Sequence, residues 1–169
     1  MTDFRRAIAE RVLILDGAMG TLLQERGLKP GGCPEAMNRV APATVVGIHA
    51  EYAEAGADIL VANSFGGNRV KLANYNFEGA VDELNRSAVA LARQAAPKGA
   101  FVGGSVGPTG RFVEPVGDAG FDEMIDIFAE QISSLAGAGA DLISFETFLD
   151  IRELRAGVIA CRDVCDLPI

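Results

Sequence analysis

The feature that most constrains the fold is a repeated sequence unit. The segments AGADILVANSF (residues 55–65) and AGADLISFETF (residues 138–148) align without gaps. Each contains an Ala-Gly pair typical of a helix end, an aspartate, an apolar run and a polar pair before phenylalanine. Between them, GAFVGGSVGPTG (residues 99–110) is an apolar run that ends in glycines, and LILDGAMG (residues 13–20) is an earlier one. The chain therefore consists of successive units that end in polar residues spaced by roughly 42 positions, namely Asp16, Asn63, Ser105 and Glu146.

The apolar runs predict buried parallel strands, because strands covered on both faces have nearly continuous apolar sequences. We expect four such strands, neighbouring one another in sequence order, near residues 12–16, 57–63, 100–106 and 141–147. Segments with apolar residues at helical spacing lie between them. They predict outer helices over residues 21–26, from Pro42 to the stop at Gly56, and over 77–96, 121–136 and 150–165, besides a short amphipathic helix at residues 1–11.

This alternation predicts an α/β protein made of right-handed βαβ units. Two sheet architectures remain, a doubly wound open sheet and a closed barrel. An eight-unit barrel needs about 250 residues or more, and four units fit in this chain of 169 residues. Because residues 167–169 are expected to begin a further strand, we interpret residues 1–169 as the N-terminal half of a longer (β/α)8 TIM barrel.

Composition and charge exclude several classes of protein. The net charge of −8 argues against nucleic-acid binding, which normally requires a basic surface. No apolar run is long enough to predict a membrane span, and the first residues do not resemble a signal peptide. Three cysteines without the spacing of a disulfide framework favour a reducing compartment. The expectation is a soluble, cytoplasmic protein.

The polar strand ends predict the binding site, since ligands bind at the carboxyl ends of parallel strands. Asp16 and Glu146 come from non-adjacent strands and would repel each other unless a cation lay between them. The backbone amides of the DGAMGT turn at residues 16–21 can bind an anion such as a carboxylate or phosphate. Two acids beside exposed amides form a suitable pocket for an α-amino acid.

The remaining reactive residue types are interpreted as structural. Cys161 and Cys165 are four residues apart on a predicted outer helix, without a third ligand nearby. Cys33 lies in the loop LKPGGCPEAMN, and His49 is expected to pack against the sheet or face solvent.

The segments ILDGAMGT, EAGADILVANSFGGNRVKL, GSVGPTG and GADLISFETFLDIREL occur in this order. Together they make the chain resemble the homocysteine S-methyltransferase family over essentially all of its length, and it is most similar to the homocysteine-binding domain of cobalamin-dependent members. The resemblance implies a (β/α)8 barrel that methylates the sulfur of homocysteine to give methionine.

The resemblance also implies roles for individual residues. Asp16 and Glu146 would hold the substrate ammonium, while the amides of Gly17 and Ala18, with the Ser64 hydroxyl, would hold its carboxylate. Family members commonly have Thr-Asn-Thr-Phe where this chain has Ala-Asn-Ser-Phe at residues 62–65, and serine is less restrained than threonine.

Family resemblance further implies a catalytic zinc ion, which binds and deprotonates the substrate thiol. In the family its three ligands are cysteines, one after the sixth strand and an adjacent pair at the eighth, and none of Cys33, Cys161 or Cys165 matches a ligand position. We therefore expect no metal ligand and no catalytic residue within residues 1–169, and an inactive isolated chain. Methylcobalamin is the implied methyl donor, and cobalamin- and folate-binding domains are the implied partners.

Three alternatives remain open from the sequence. The first is a homocysteine methyltransferase that uses S-methylmethionine or betaine as donor. The second is a non-catalytic half-barrel that binds an amino acid and associates with itself. The third is a phosphate-binding barrel enzyme such as an aldolase, which would need a lysine that none of the four strand ends has.

Overall fold

A computed structural model describes residues 4–169 and shows an α/β arrangement with a parallel sheet. Its strands are β1 (Ile59–Val61), β2 (Phe101–Val106) and β3 (Leu142–Phe145). Its α-helices are α1 (Phe4–Glu10), α2 (Met19–Glu25), α3 (Met37–Val40), α4 (Pro42–Glu54), α5 (Arg69–Ala73), α6 (Val81–Ala95), α7 (Phe121–Gly137) and α8 (Ile151–Val164). A 3₁₀ turn at Glu78–Ala80 precedes α6. Within residues 4–169, no helix is long and apolar enough to cross a membrane.

The strands pair in parallel and in sequence order, β1–β2–β3, as the repeat predicts. Ile59 pairs with Phe101, and Gly103 pairs with Leu142. Helices α4, α6, α7 and α8 pack against one another in turn and form a single outer layer. Sequential strand order under one helical layer is the arrangement of successive units in a (β/α)8 barrel, whereas a doubly wound sheet reverses its strand order.

The core lies between the sheet and this helical layer. Each helix contributes the apolar stripe that its sequence predicts, and on α7 the residues Met124, Phe128, Ile132 and Leu135 have no solvent exposure. They pack with Leu60 and Ile143 among other residues of the strands. On α1, Phe4 packs edge-on against Phe101, with 5.2 Å between the ring centroids. This helix therefore covers the N-terminal end of the sheet.

The repeated AGAD segment ends a helix and attaches the next strand to its neighbour. Gly56 and Gly139 have φ of 102° and 90°, left-handed values that glycine adopts readily when it ends a helix. Asp58 then accepts a hydrogen bond from the backbone N–H of Ile14 at 2.9 Å, and Asp141 accepts one from that of Val102 at 2.8 Å. The two halves of the sequence repeat therefore make equivalent contacts with the preceding extended segment.

Each of these aspartates also pairs with an arginine. Asp58 lies 2.8 Å from Arg11, and Asp141 lies 2.6 Å from Arg93. The hydrogen bond from Ile14 and then the Arg11 guanidinium hold the pKa of Asp58 below its ordinary value.

The strand predicted at residues 12–16 is wrong in extent and in burial. Only Leu15 forms a β-bridge, to Ile59, although this bridge is parallel and on the expected side of β1. The N–H of Ile14 bonds to the Asp58 carboxylate instead of to a strand carbonyl, which interrupts the ladder. Val12 and Ile14 are 87% and 58% exposed, because this segment is an uncovered edge in the described chain.

The other differences are small. The predicted strands shorten to three, six and four residues, and the predicted helix at 77–96 begins with the 3₁₀ turn. The sequence analysis missed the short helices α3 and α5, which lie in connections. The predicted N-terminal helix is confirmed from Phe4, while residues 1–3 lie outside the described part. At the other end, the carbonyl of Pro168 accepts a hydrogen bond from Ile143 at 2.9 Å, so this segment lies beside β3.

Candidate functional site

A cavity of about 440 Å³ lies at the carboxyl ends of the strands. Residues 15–21, Pro34, Glu35, residues 61–65, Ser105 and Glu146 line it. All five binding residues predicted from the sequence, Asp16, Gly17, Ala18, Ser64 and Glu146, are among them. Three of the lining residues are acidic, and none of the described lining residues is Lys, Arg or His. The cavity is therefore electrostatically suited to a cationic group.

Asp16 belongs to the turn between the edge segment and α2. Its side chain is only 3% exposed, and its Oδ2 atom accepts a hydrogen bond from the backbone N–H of Val61 at 2.9 Å. A buried carboxylate needs such partners, because desolvation without them is costly. This hydrogen bond fixes the carboxylate against the end of β1.

Hydrogen bonds connect the strand ends across the floor of the cavity. The Ser64 hydroxyl donates to the carbonyl of Ser105 at 2.8 Å and accepts from its N–H at 3.1 Å. The Ser105 hydroxyl in turn donates to Oε1 of Glu146 at 3.1 Å. These bonds orient Glu146 from β2, and they engage the single proton of the Ser64 hydroxyl within the protein.

A buried side chain and a sharp backbone turn fix the surroundings of these residues. Gln131 of α7 is fully buried and donates from Nε2 to the Ser64 carbonyl at 2.7 Å. Thr147, immediately after Glu146, has φ of 62°, a left-handed value that is rare for a β-branched residue. The chain therefore turns sharply directly after Glu146.

Gly17 and Ala18 lie at the mouth of the cavity, opposite these strand ends. Among residues 4–169, neither backbone N–H donates a hydrogen bond, so both can serve a ligand. Tyr52 of α4 donates from its hydroxyl to the Ala18 carbonyl at 3.0 Å. A Cβ atom at position 17 would lie 2.8 Å from the Tyr52 hydroxyl oxygen, so any other residue there would have to displace the Tyr52 ring.

The sequence analysis missed Glu35 as a member of the site. Glu35 is 4% exposed and follows Cys33 in the loop before α3. Its Oε1 accepts a hydrogen bond from the Gly66 N–H at 2.7 Å, and its Oε2 accepts one from the Cys33 thiol at 3.4 Å. An acidic residue in a long connection is a possible signal for a site, but the loop path that brings it to the cavity has no sequence pattern.

Two of the cysteines, Cys33 and Cys161, are unsuited to nucleophilic chemistry. Burial, and after it the nearby Glu35 carboxylate, raises the pKa of Cys33 to about 11. Burial, together with the Cys165 thiol 3.7 Å away, raises the pKa of Cys161 to about 12. Thiols with these pKa values are protonated at neutral pH and are poor metal ligands and nucleophiles. Within residues 4–169, no group of three His, Cys, Asp or Glu side chains is arranged to hold a metal ion.

The fold and the cavity define the class of the protein. It is a parallel α/β protein of the βα-unit type, with an acidic ligand cavity at the carboxyl ends of its strands. The sequence model of the family described as "Homocysteine S-methyltransferase" matches residues 13–169. The chain belongs to the homocysteine S-methyltransferase family.

The chain is also similar to curated proteins named methionine synthase. It is 33% identical over 175 residues to that of Mycobacterium leprae (strain TN) and 34% identical to that of Mycobacterium tuberculosis (strain ATCC 25618 / H37Rv). Both alignments cover 95% of this chain and 14% of the relative, so the chain spans about a seventh of these proteins.

Among solved structures, the homocysteine methyltransferase MmuM from Escherichia coli has the same fold. Its metallated form superimposes with a TM-score of 0.81 at 24% identity, covering 96% of this chain and 63% of that one. Its apo form gives a TM-score of 0.73. These similarities support the architecture derived above.

Proposed function

We propose that the cavity binds the amino-acid end of homocysteine in a homocysteine methyltransferase of the methionine synthase type. The observation that carries the proposal is the acidic cavity in which Asp16 and Glu146 accompany the free amides of Gly17 and Ala18. In this arrangement the carboxylates take the substrate ammonium and the amides take its carboxylate. Family membership supports the same substrate.

Asp16 and Glu146 differ in how they are held. Asp16 is fixed by the backbone of β1, whereas Glu146 is oriented by the Ser105 hydroxyl. Binding of a charged ammonium between fixed carboxylates avoids much of the reorganisation that water would require. Ser64 is proposed to help with the substrate carboxylate, for which its hydroxyl must exchange its bond to Ser105.

The residues present do not fit the zinc ion that the family implies. Burial keeps the thiols of Cys33 and Cys161 protonated, and the described chain has no three-ligand cluster. Sulfur activation is therefore assigned to no residue between 4 and 169. The proposed contribution of this chain is to bind and orient the substrate in the first half of a (β/α)8 barrel. Methylcobalamin is the proposed donor, with cobalamin- and folate-binding domains as proposed partners, because the relatives above are methionine synthases.

The test is Glu146→Gln in the intact protein. The substitution keeps the shape of the side chain and removes the charge facing the ammonium. A lost contact between buried charges typically costs about 2–4 kcal/mol, so homocysteine affinity should fall by at least about 30-fold. Titration calorimetry measures the affinity, and metal analysis should show the same zinc content as in the wild type.

Glu153→Gln is the matched control. Glu153 is also buried, at 2% exposure, but it accepts hydrogen bonds from Thr109 and does not line the cavity. Its substitution should lower stability and leave homocysteine affinity unchanged. A Glu146 variant that binds homocysteine normally but has lost zinc would refute the proposed role.

A further inference from the structure

His49 is a buried polar residue that the proposed binding mode does not use. It lies on α4, has no solvent exposure, and neither ring nitrogen has a hydrogen-bond partner in the described chain. Nδ1 lies 3.7 Å from Oδ2 of Asp16. Buried polar groups without partners are uncommon in native structures, and each requires an explanation.

Packing alone does not account for this histidine. An apolar side chain of similar shape would fill the same volume without desolvating two ring nitrogens, so the imidazole lowers the stability of the fold. The Asp16 carboxylate is the charged group that lies within 4.0 Å of the ring in the described chain. The proximity of Nδ1 to that carboxylate, which lines the cavity, points to a role there.

The neighbouring turn of α4 touches the same loop. Tyr52, three residues after His49 and hence on the same helix face, donates to the Ala18 carbonyl and closely contacts Gly17. One helix therefore contacts both parts of the proposed substrate-binding turn. His49 faces the acid that would bind the ammonium, and Tyr52 supports the amides that would bind the carboxylate.

We propose that His49 is a positioning residue that orients the Asp16 carboxylate for the substrate ammonium. Nδ1 carries its proton and donates to Oδ2, the oxygen that also accepts from Val61. The second carboxylate oxygen is then directed towards the substrate. The separation of 3.7 Å exceeds an ordinary N–H···O hydrogen bond by about 0.7 Å, and catalytic hydrogen bonds commonly shorten when substrate binds. This inference rests on the proposed function.

The test compares two ligands in three forms of the intact protein. The ligands are L-homocysteine and 4-mercaptobutanoate, which is homocysteine without its amino group. In His49→Phe, homocysteine affinity should fall about tenfold, whereas affinity for the amine-free ligand should not change. His49→Asn places an amide near the position of Nδ1 and should restore part of the loss. The melting temperature of His49→Phe should be unchanged or raised, because the substitution removes an unsatisfied polar group.

Tyr52→Phe is the matched control on the same helix. It removes only the hydroxyl that holds the Ala18 carbonyl, and both ligands carry the carboxylate that this turn would bind. Its effect should therefore be equal for the two ligands. If His49→Phe also weakens both ligands equally, or weakens neither, His49 does not act through Asp16 and the proposal is overturned.

A measurement without ligand separates this inference from the proposed function. In the intact protein, the ring nitrogens of His49 are identified by ¹⁵N NMR as the histidine signals that His49→Phe removes, and these signals are then compared between the wild type and Asp16→Asn. Asp16→Asn should shift the Nδ1 signal, and unchanged ring signals would overturn the positioning role even if homocysteine binds. If the wild type does not bind homocysteine, the proposed function fails, and the NMR comparison still decides whether His49 and Asp16 interact.

Discussion

The Ser64 hydroxyl shows how a single residue can have a structural bond that competes with ligand binding. It donates its proton to the Ser105 carbonyl and accepts from the Ser105 N–H, and it is 1% exposed. A hydroxyl has only one proton to donate. Ser64 can therefore contact a substrate carboxylate only by giving up its bond to the Ser105 carbonyl, so we expect its contribution to stability to exceed its contribution to binding.

Ser64→Ala should lower the free energy of unfolding by about 1–2 kcal/mol, because it leaves the buried Ser105 N–H without its acceptor and leaves the Ser105 carbonyl only the longer hydrogen bond from Gln131. Homocysteine affinity should fall by less than about tenfold, a smaller effect than in Glu146→Gln. Urea denaturation and calorimetry measure the two quantities. Ser87→Ala, which removes one hydrogen bond to the Asn38 carbonyl away from the cavity, is the control. A Ser64 variant as stable as wild type but unable to bind homocysteine would reverse this assignment.

The sequence could predict which strand-end residues meet, but not every residue around them. Asp16, Ser64 and Glu146 line one cavity because parallel strands bring their carboxyl ends to one edge. An irregular loop brings Glu35 to the cavity, and the orientation of α4 about its own axis places His49 beside Asp16. These positions depend on tertiary packing, for which neither segment has a distinctive residue pattern.

At the scale of secondary-structure elements, Asp58 attaches the N-terminal segment to β1. Its side chain is 22% exposed and its pKa is lowered, first by the hydrogen bond from Ile14 and then by Arg11. A carboxyl with a lowered pKa in the folded state stabilises the fold at pH values above its unfolded pKa of about 3.9. This stabilisation is lost as the pH falls through the lower, folded pKa.

Asp58→Asn should therefore lower stability near neutral pH and reduce the loss of stability on acidification below about pH 4. Thermal melting measured between about pH 2 and pH 7 tests this. The exposed Asp163 near the end of α8 provides the control Asp163→Asn, for which the melting curves should match the wild type. An Asp58 variant with the wild-type acid dependence would show that the carboxylate does not hold the segment.

Elements with strong periodicity could be predicted best. The apolar stripe predicts the bounds of α7 to within one residue, because many core contacts depend on those positions. The structure of segment 12–16 could not be predicted from its apolar residues, which suit a strand. The N–H of Ile14 donates to the Asp58 side chain, and this bond replaces a hydrogen bond to a strand carbonyl. Helices α3 and α5 are four and five residues long, too short to show a period.

At the scale of the whole molecule, the described part contains an acidic cavity at the strand ends and no metal cluster. We predict that the isolated chain of residues 1–169 neither holds zinc stoichiometrically nor forms methionine from homocysteine. The physical reason is that catalytic zinc needs three fixed ligands, whereas burial keeps the thiols of Cys33 and Cys161 protonated. Metal analysis and an assay with methylcobalamin measure this. One tightly bound zinc per chain, or turnover above the uncatalysed rate, would contradict it.

The same sample tests the expected self-association. Val12, Leu149 and Ile151 are 87%, 87% and 76% exposed, and the edge segment has no strand on its outer side in the described chain. Uncovered edges and apolar side chains favour pairing between molecules. Size-exclusion chromatography with light scattering should show a mass above that of a monomer, and a strictly monomeric chain would contradict the expectation.

The side-chain bonds at the ends of the strands also determine how the sheet would carry a mechanical load. Asp58 and Asp16 join the N-terminal segment to β1, Ser64 joins β1 to β2, and further bonds at Asp141 and Ser105 join β2 to β3. A force that pulls Arg11 away from β3 would load these side-chain attachments together with the backbone ladders that pair the strands. We expect the single bridge at Leu15, with its attachments at Asp58 and Asp16, to yield before the longer ladder between β2 and β3.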